Sequence, residues 1–144
     1  MAYKLFVDSD IFLDILLIRQ PHFDSSLSVL LLRKAQQLEL FTSPSIILNV
    51  NYIAQKQNNK ERAVKGISEI LKFVEIIEST RKILTDCFNH NYTDIENAVQ
   101  YFTALQNTSL NYYLTRNTRH FNFKNINLPV LNPSQFLKLL KQNS

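Results

Sequence analysis

Lys4-Leu5-Phe6-Val7-Asp8-Ser9-Asp10-Ile11-Phe12-Leu13-Asp14 is the stretch on which the reading of this 144-residue chain turns. A short apolar run that breaks into Asp-Ser-Asp fits a buried strand followed at once by a helix N-cap, because Asp and Ser side chains accept the free amide hydrogens of a first helical turn. Ile11 to Arg19 then reads as a helix. Working outward, the same alternation returns. A helix is expected over Ser25 to Gln37, where Leu27, Leu30, Leu31 and Ala35 keep helical spacing, and a second strand over Leu40 to Thr42. Ser43-Pro44-Ser45 opens a helix through about Gln55, since Ser and an early Pro favour helix starts. Further helices are expected over Lys60 to Phe73, Arg81 to Phe88 and Asp94 to Asn107, and from Pro133 onward. Strands are expected at Phe73 to Ile77, Tyr112 to Thr115 and Leu128 to Leu131. Strands separated by helices need crossover connections, so the fold class is α/β: a three-layer α/β/α sandwich with a central parallel sheet of four or five strands.

Composition narrows the function. At 144 residues with 45% hydrophobic and 19% charged side chains, the chain suits a single globular domain over 1–144. No apolar stretch is long enough to span a bilayer, since even Ile11 to Ile18 is broken by Asp14, and nothing reads as a secretory signal, which makes cytoplasm the expectation. One cysteine, Cys87, excludes an internal disulfide and a thiolate zinc site; beside Phe88 it reads as a buried thiol. One glycine, Gly66, removes the Gly-rich phosphate loops of nucleotide-binding enzymes. All twelve acids lie at or before Glu96 among eleven cations, whereas Asn97 to Ser144 carries five cations and no acid. Such a basic tract can meet a polyanion, or it can be a solvated surface.

In a parallel sheet, sites form at the carboxyl ends of strands. The polar residues expected there are Asp8, Ser9 and Asp10 after the first strand, Ser43 and Ser45 after the second, and Thr115, Arg116 and Asn117 after the fourth. Asp94 begins a later helix that leans over the same edge. Clustered carboxylates suit a hard dication such as Mg²⁺, which takes one or two of them and completes its shell with water and phosphate oxygens. The alternative is that Asp8 and Asp10 only cap their helix while Asp94 and Glu96 only favour a helix dipole. Arg116, Arg119 and Lys124, interleaved with Phe121 and Phe123, offer phosphate contacts and stacking faces for single-stranded RNA, unless the two rings enter the core. Asp14, one helical turn after Asp10, either supports the site from behind or is an exposed helix acid.

Four segments together resemble the PIN domain family, the ribonuclease fold of VapC-type toxins. Phe6 to Asp14 looks like the opening Asp-Thr-Asn motif; Tyr92 to Tyr101 resembles the later acidic helix. Leu114-Thr115-Arg116-Asn117 with His120-Phe121 resembles the Thr-Arg-Asn segment, and Leu128 to Leu137 the closing strand and helix. The resemblance implies a metal-dependent endoribonuclease, possessing Mg²⁺ or Mn²⁺ as cofactor and RNA as substrate. It also implies a toxin–antitoxin setting, with an antitoxin protein or a second copy in a homodimer as partner and no membrane. It assigns Asp8, Asp10, Asp94 and Asn97 to the metal, with Asp8, Asp94, Asn97 and Asn117 at the chemistry. Ser9, Thr115, Arg116 and Arg119 would touch substrate, with Asn49 and Asp14 behind. The sequence departs from the family pattern at Asn97, where a second Asp is usual, and at Asn49, where many members carry Glu. An amide keeps a ligating oxygen but loses the charge that favours a dication. The alternative is therefore a catalytically weakened or inactive PIN-fold module that binds RNA or protein.

Overall fold

The computed structural model describes residues 2–121, 123 and 127–143. Five strands form one sheet in the order β3-β2-β1-β4-β5, every neighbouring pair parallel. They are β1 (Tyr3–Val7), β2 (Leu38–Thr42), β3 (Val74–Ile76), β4 (Tyr112–Leu114) and β5 (Val130–Leu131). The connections carry α1 (Ser9–Leu16), α2 (Phe23–Lys34), α3 (Pro44–Gln57), α4 (Lys60–Leu71), α5 (Arg81–Asn89) and α6 (Ile95–Leu105), and α7 (Pro133–Gln142) closes the chain. The helices pack in two groups, α1 to α4 with α7, and α5 with α6, in keeping with the expected α/β/α sandwich.

The elements follow the expected order, with ends moved by a few residues for local reasons. Asp94 stands outside α6 because its side chain accepts the Asn97 amide, which makes it the cap and Ile95 the first helical residue. Apart from α2, each helix starts on a side-chain cap: Asp8, Ser43, Asn59, Thr80, Asp94 or Asn132. Each such cap is worth about 0.5–2 kcal/mol. β2 starts two residues early, at Leu38, because Leu38 and Leu40 both point into the core.

β1 lies mid-sheet, paired with β2 from Tyr3 to Phe6 and with β4 from Leu5 to Val7. Buried on both faces, a strand needs a continuous apolar run; Leu5, Phe6 and Val7 supply it. Phe6 stacks on Tyr113 with ring centroids 5.1 Å apart, and Tyr101 stacks on Phe123 at 5.0 Å. Phe121 and Phe123 are both buried in this aromatic layer, so neither offers the base-stacking face considered from sequence. The Tyr101 hydroxyl donates to the Leu128 carbonyl at 2.7 Å, fastening α6 to the approach to β5. Gly66 lets α4 approach α1, since a Cβ there would stand 2.5 Å from Leu16 Cδ2. Cys87 is buried, as expected.

Candidate active site

The strand order places a topological switch point between β1 and β4. From β1 the chain proceeds outward through β2 to β3, then returns to lay β4 on the other side of β1. Open α/β sheets form their sites at such a point, outside the carboxyl ends of the strands. Asp8 to Asp10 leave β1 there, and Thr115 to Asn117 leave β4.

Asp8 caps α1. Its Oδ1 accepts the Ser9 amide at 2.7 Å, with the Ser9 hydroxyl at 3.5 Å, and its own amide donates to the Leu114 carbonyl at 2.9 Å. Capping does not explain its surroundings. Burial of the carboxyl, reinforced by Asp10 and more weakly by Glu96, pushes Asp8 up to about 7 against the opposing Ser9 amide and Thr115 hydroxyl. Asp10 is also raised, first by burial, against the pull of the Arg116 amide. Asp10 Oδ2 accepts from that amide at 2.9 Å and from the Thr115 hydroxyl at 3.3 Å, while Asp10 Oδ1 is buried without a hydrogen-bond partner. The Tyr113 hydroxyl is wholly buried close to both carboxylates, and its titration is driven well above the usual tyrosine range by burial and by Asp8 and Asp10. Two neighbouring half-buried carboxylates, one with an oxygen that lacks a donor, concentrate negative charge that a cation or a proton would relieve.

The remaining residues singled out from sequence divide sharply. Asp94 is exposed, and its Oδ1 is occupied by the Asn97 amide at 3.0 Å. Among the described residues no three acids, histidines or cysteines are placed to share a metal ion. The structure therefore does not gather Asp94 with Asp8 and Asp10; the helix-capping alternative describes it. Asn97 is half-buried in the first turn of α6, and Asn49 is half-buried on α3, one turn beyond Ser45. Thr115 is wholly buried between Asp10 and the Asn117 amide, which donates to its Oγ1 at 3.3 Å, so it shapes the loop. Arg116 is engaged inward: its Nε lies 2.7 Å from Asp14 Oδ2 in an ion pair, although the N–H is turned off the hydrogen-bond line. Asp14 is wholly buried, which removes the exposed-acid alternative. Asn117 and Arg119 are exposed beyond β4; Lys124 lies outside the described residues.

Sequence reasoning missed three contributors. Gln100 is a buried amide that accepts from the Ser43 hydroxyl at 2.6 Å and donates to Ser45 at 2.5 Å, tying α6 to the start of α3. A lone glutamine among Ala98, Val99 and Tyr101 was its available signal. Glu96 bears on Asp8 more than its neighbour Asp94 does, and Tyr113 lies close to both acids; neither carries a local sequence mark.

A half-buried acid pair at the switch point of a five-stranded parallel sheet puts the candidate site where open α/β folds form theirs. Comparison with known proteins goes further. The PIN domain family model matches residues 4–119, and the chain belongs to the PIN domain family. It is 29% identical over 106 residues to Ribonuclease VapC1 of Aquifex aeolicus, covering 70% of this chain and 73% of that protein. VapBC2 from Rickettsia felis, solved on a promoter DNA fragment, superposes with a TM-score of 0.64 at 19% identity, covering 90% of this chain and 98% of that one. A toxin–antitoxin complex from Klebsiella pneumoniae gives 0.61 at 19% identity, covering 90% and 97%. Among the described residues no helix is long and apolar enough to cross a membrane.

Proposed function

We propose that this chain is a PIN-type endoribonuclease, one domain over its 144 residues, that uses Mg²⁺ or Mn²⁺ and serves as the toxin of a toxin–antitoxin pair. The carrying observation is the half-buried Asp8–Asp10 pair at the β1–β4 switch point with Asp10 Oδ1 left without a donor. Family membership and the likeness to a VapC ribonuclease support the reading. The partner reading rests on relatives solved as toxin–antitoxin assemblies.

The donor set fits a hard dication held by two carboxylates and completed by water and substrate oxygens, the arrangement Mg²⁺ commonly accepts. It does not fit a site needing three protein acids. Asp8 and Asp10 hold the cation, and Glu96 adds negative field. Asn97 offers an amide oxygen, and Asn117, at the exposed end of the β4 loop, orients water or a phosphate oxygen. Arg119, exposed in the 3-10 turn Thr118–His120, meets the RNA backbone. Ser9 fixes the Asp8 carboxylate through its amide. A bound dication supplies Lewis acidity, lowering the pKa of water and offsetting the charge that develops on a phosphodiester.

The test is cleavage of a single-stranded RNA with Mn²⁺ by wild type and Asp8→Ala. Cleavage that disappears with EDTA and in the variant supports the reading. The amides at Asn49 and Asn97, with Asp94 held away as a cap, favour a second reading, a PIN-fold module that binds RNA or protein without cutting. RNA retention at low salt without Mn²⁺-dependent cleavage would select it.

A further inference from the structure

Asp10 is held from two sides by one buried ionic assembly. Asp14, one helical turn along α1 and wholly buried, lies 3.0 Å from Arg19 Nε through Oδ1. Its Oδ2 accepts the Ser26 hydroxyl of α2 at 3.2 Å and stands 2.7 Å from Arg116 Nε. Arg19 then reaches back through Nη2 to the Asp10 carbonyl at 3.2 Å. Arg116, anchored by its side chain, presents its backbone amide to Asp10 Oδ2 at 2.9 Å. One carboxylate thus secures two arginines, of which one grips the main chain of Asp10 and the other its side chain.

We propose that Asp14, through Arg19 and Arg116, is a positioning residue that fixes the Asp10 carboxylate for cation binding. The inference rests on the cation-site reading above. A carboxylate with one oxygen unsatisfied in a buried site would turn toward any available donor. The clamp occupies Oδ2 and leaves Oδ1 without a hydrogen-bond partner, and holding a ligand in its binding orientation raises affinity by sparing that ordering at the moment of binding.

Charge alone predicts the opposite behaviour, which makes the inference decidable. Removing a guanidinium near two carboxylates makes their field more negative, so Arg116→Met and Arg19→Met should bind a dication more tightly if the arginines act only as charges. The clamp predicts weaker binding, by about 10-fold, as is typical when a group supporting a metal ligand is removed. The experiment measures Mn²⁺ affinity by calorimetry for wild type, Arg116→Met, Arg116→Lys and Arg19→Met. Amide hydrogen exchange at Arg116 is followed in the same proteins without metal. Expected are a roughly 10-fold weaker affinity in both Met variants, recovery toward wild type in Arg116→Lys, and faster exchange of the Arg116 amide in Arg116→Met. Tighter or unchanged Mn²⁺ binding in the folded Met variants overturns the inference. So does an Arg116 amide that stays as protected as in wild type. Should a Met variant fail to fold, Ser26→Ala loosens Asp14 without stranding a charge; it must show the same two changes at smaller size, and no change in either overturns the clamp. Wild type that binds no Mn²⁺ removes the cation-site reading instead, while the exchange measurement still judges the clamp.

Discussion

The exit of β1 and the entry of α6 present the same local device with opposite outcomes. Each carries an aspartate at a helix N-cap: Asp8 accepts the Ser9 amide, and Asp94 accepts the Asn97 amide. Asp94 is exposed and does nothing further that the fold records. Asp8 has a second acid two residues on, a buried tyrosine close by and a central strand behind, and its carboxyl is pushed up to about 7. Capping is compatible with a functional role and is no evidence against one. What separates the two residues is the depth at which the sheet holds the cap.

The contrast breaks most visibly in cleavage. Asp8→Asn should lower Mn²⁺-dependent RNA cleavage on the order of 100-fold or more by removing a cation ligand, whereas Asp94→Asn, which preserves a capping oxygen, should stay within about 3-fold. Equal losses in initial-rate assays would erase the distinction between the two acids.

Stability against pH sharpens it. Asp8 is raised in the folded protein above its ordinary value of 3.8, so between about 4 and 7 the folded state binds more protons than the unfolded state. Stability from this group is therefore complete below about 4 and is lost as pH rises through about 7. In EDTA at pH 8, Asp8→Asn should unfold at higher urea than wild type, by about 1–3 kcal/mol, with little difference at pH 4. Asp94→Asn should show no such crossover.

Rebuilding the other side of the site should have a smaller effect. Asn97→Asp restores a carboxylate in the first turn of α6 and should tighten Mn²⁺ binding about 10-fold by calorimetry. An unchanged affinity would place position 97 outside the cation's reach. Smallest of all, Asp94→Ala should cost about 1 kcal/mol of stability through the lost cap, read as a lower thermal midpoint, with Mn²⁺ affinity unaltered.

Much of the architecture was legible because its signals are local. Leu5-Phe6-Val7 reads as a buried strand, and Ser43-Pro44 as a helix start whose cap hydrogen bond closes within one turn. Asp8 and Asp10 were recognisable for the same reason: strand end and helix start adjoin in sequence. The rest of the site depends on distances no spacing encodes. Arg116 looked like a phosphate ligand because it is a cation after a strand; it pairs with Asp14, 102 residues earlier in the chain. Asp94 fitted a motif, yet three acids from two separated segments converge only if the helix entry is angled inward, and the cap geometry keeps this one at the surface. Gln100 was hidden because its serine partners lie 57 and 55 residues away.

The central place of β1 has a consequence for how the molecule opens. Leu5, Phe6 and Val7 are hydrogen-bonded into ladders on both flanks and shielded on both faces, so their amides exchange with solvent only when the whole protein unfolds. Peripheral fluctuations of α5 or the outer strands can come and go above a floor that stays put. Loosening those outer parts would leave in place the base from which Asp8 and Asp10 project.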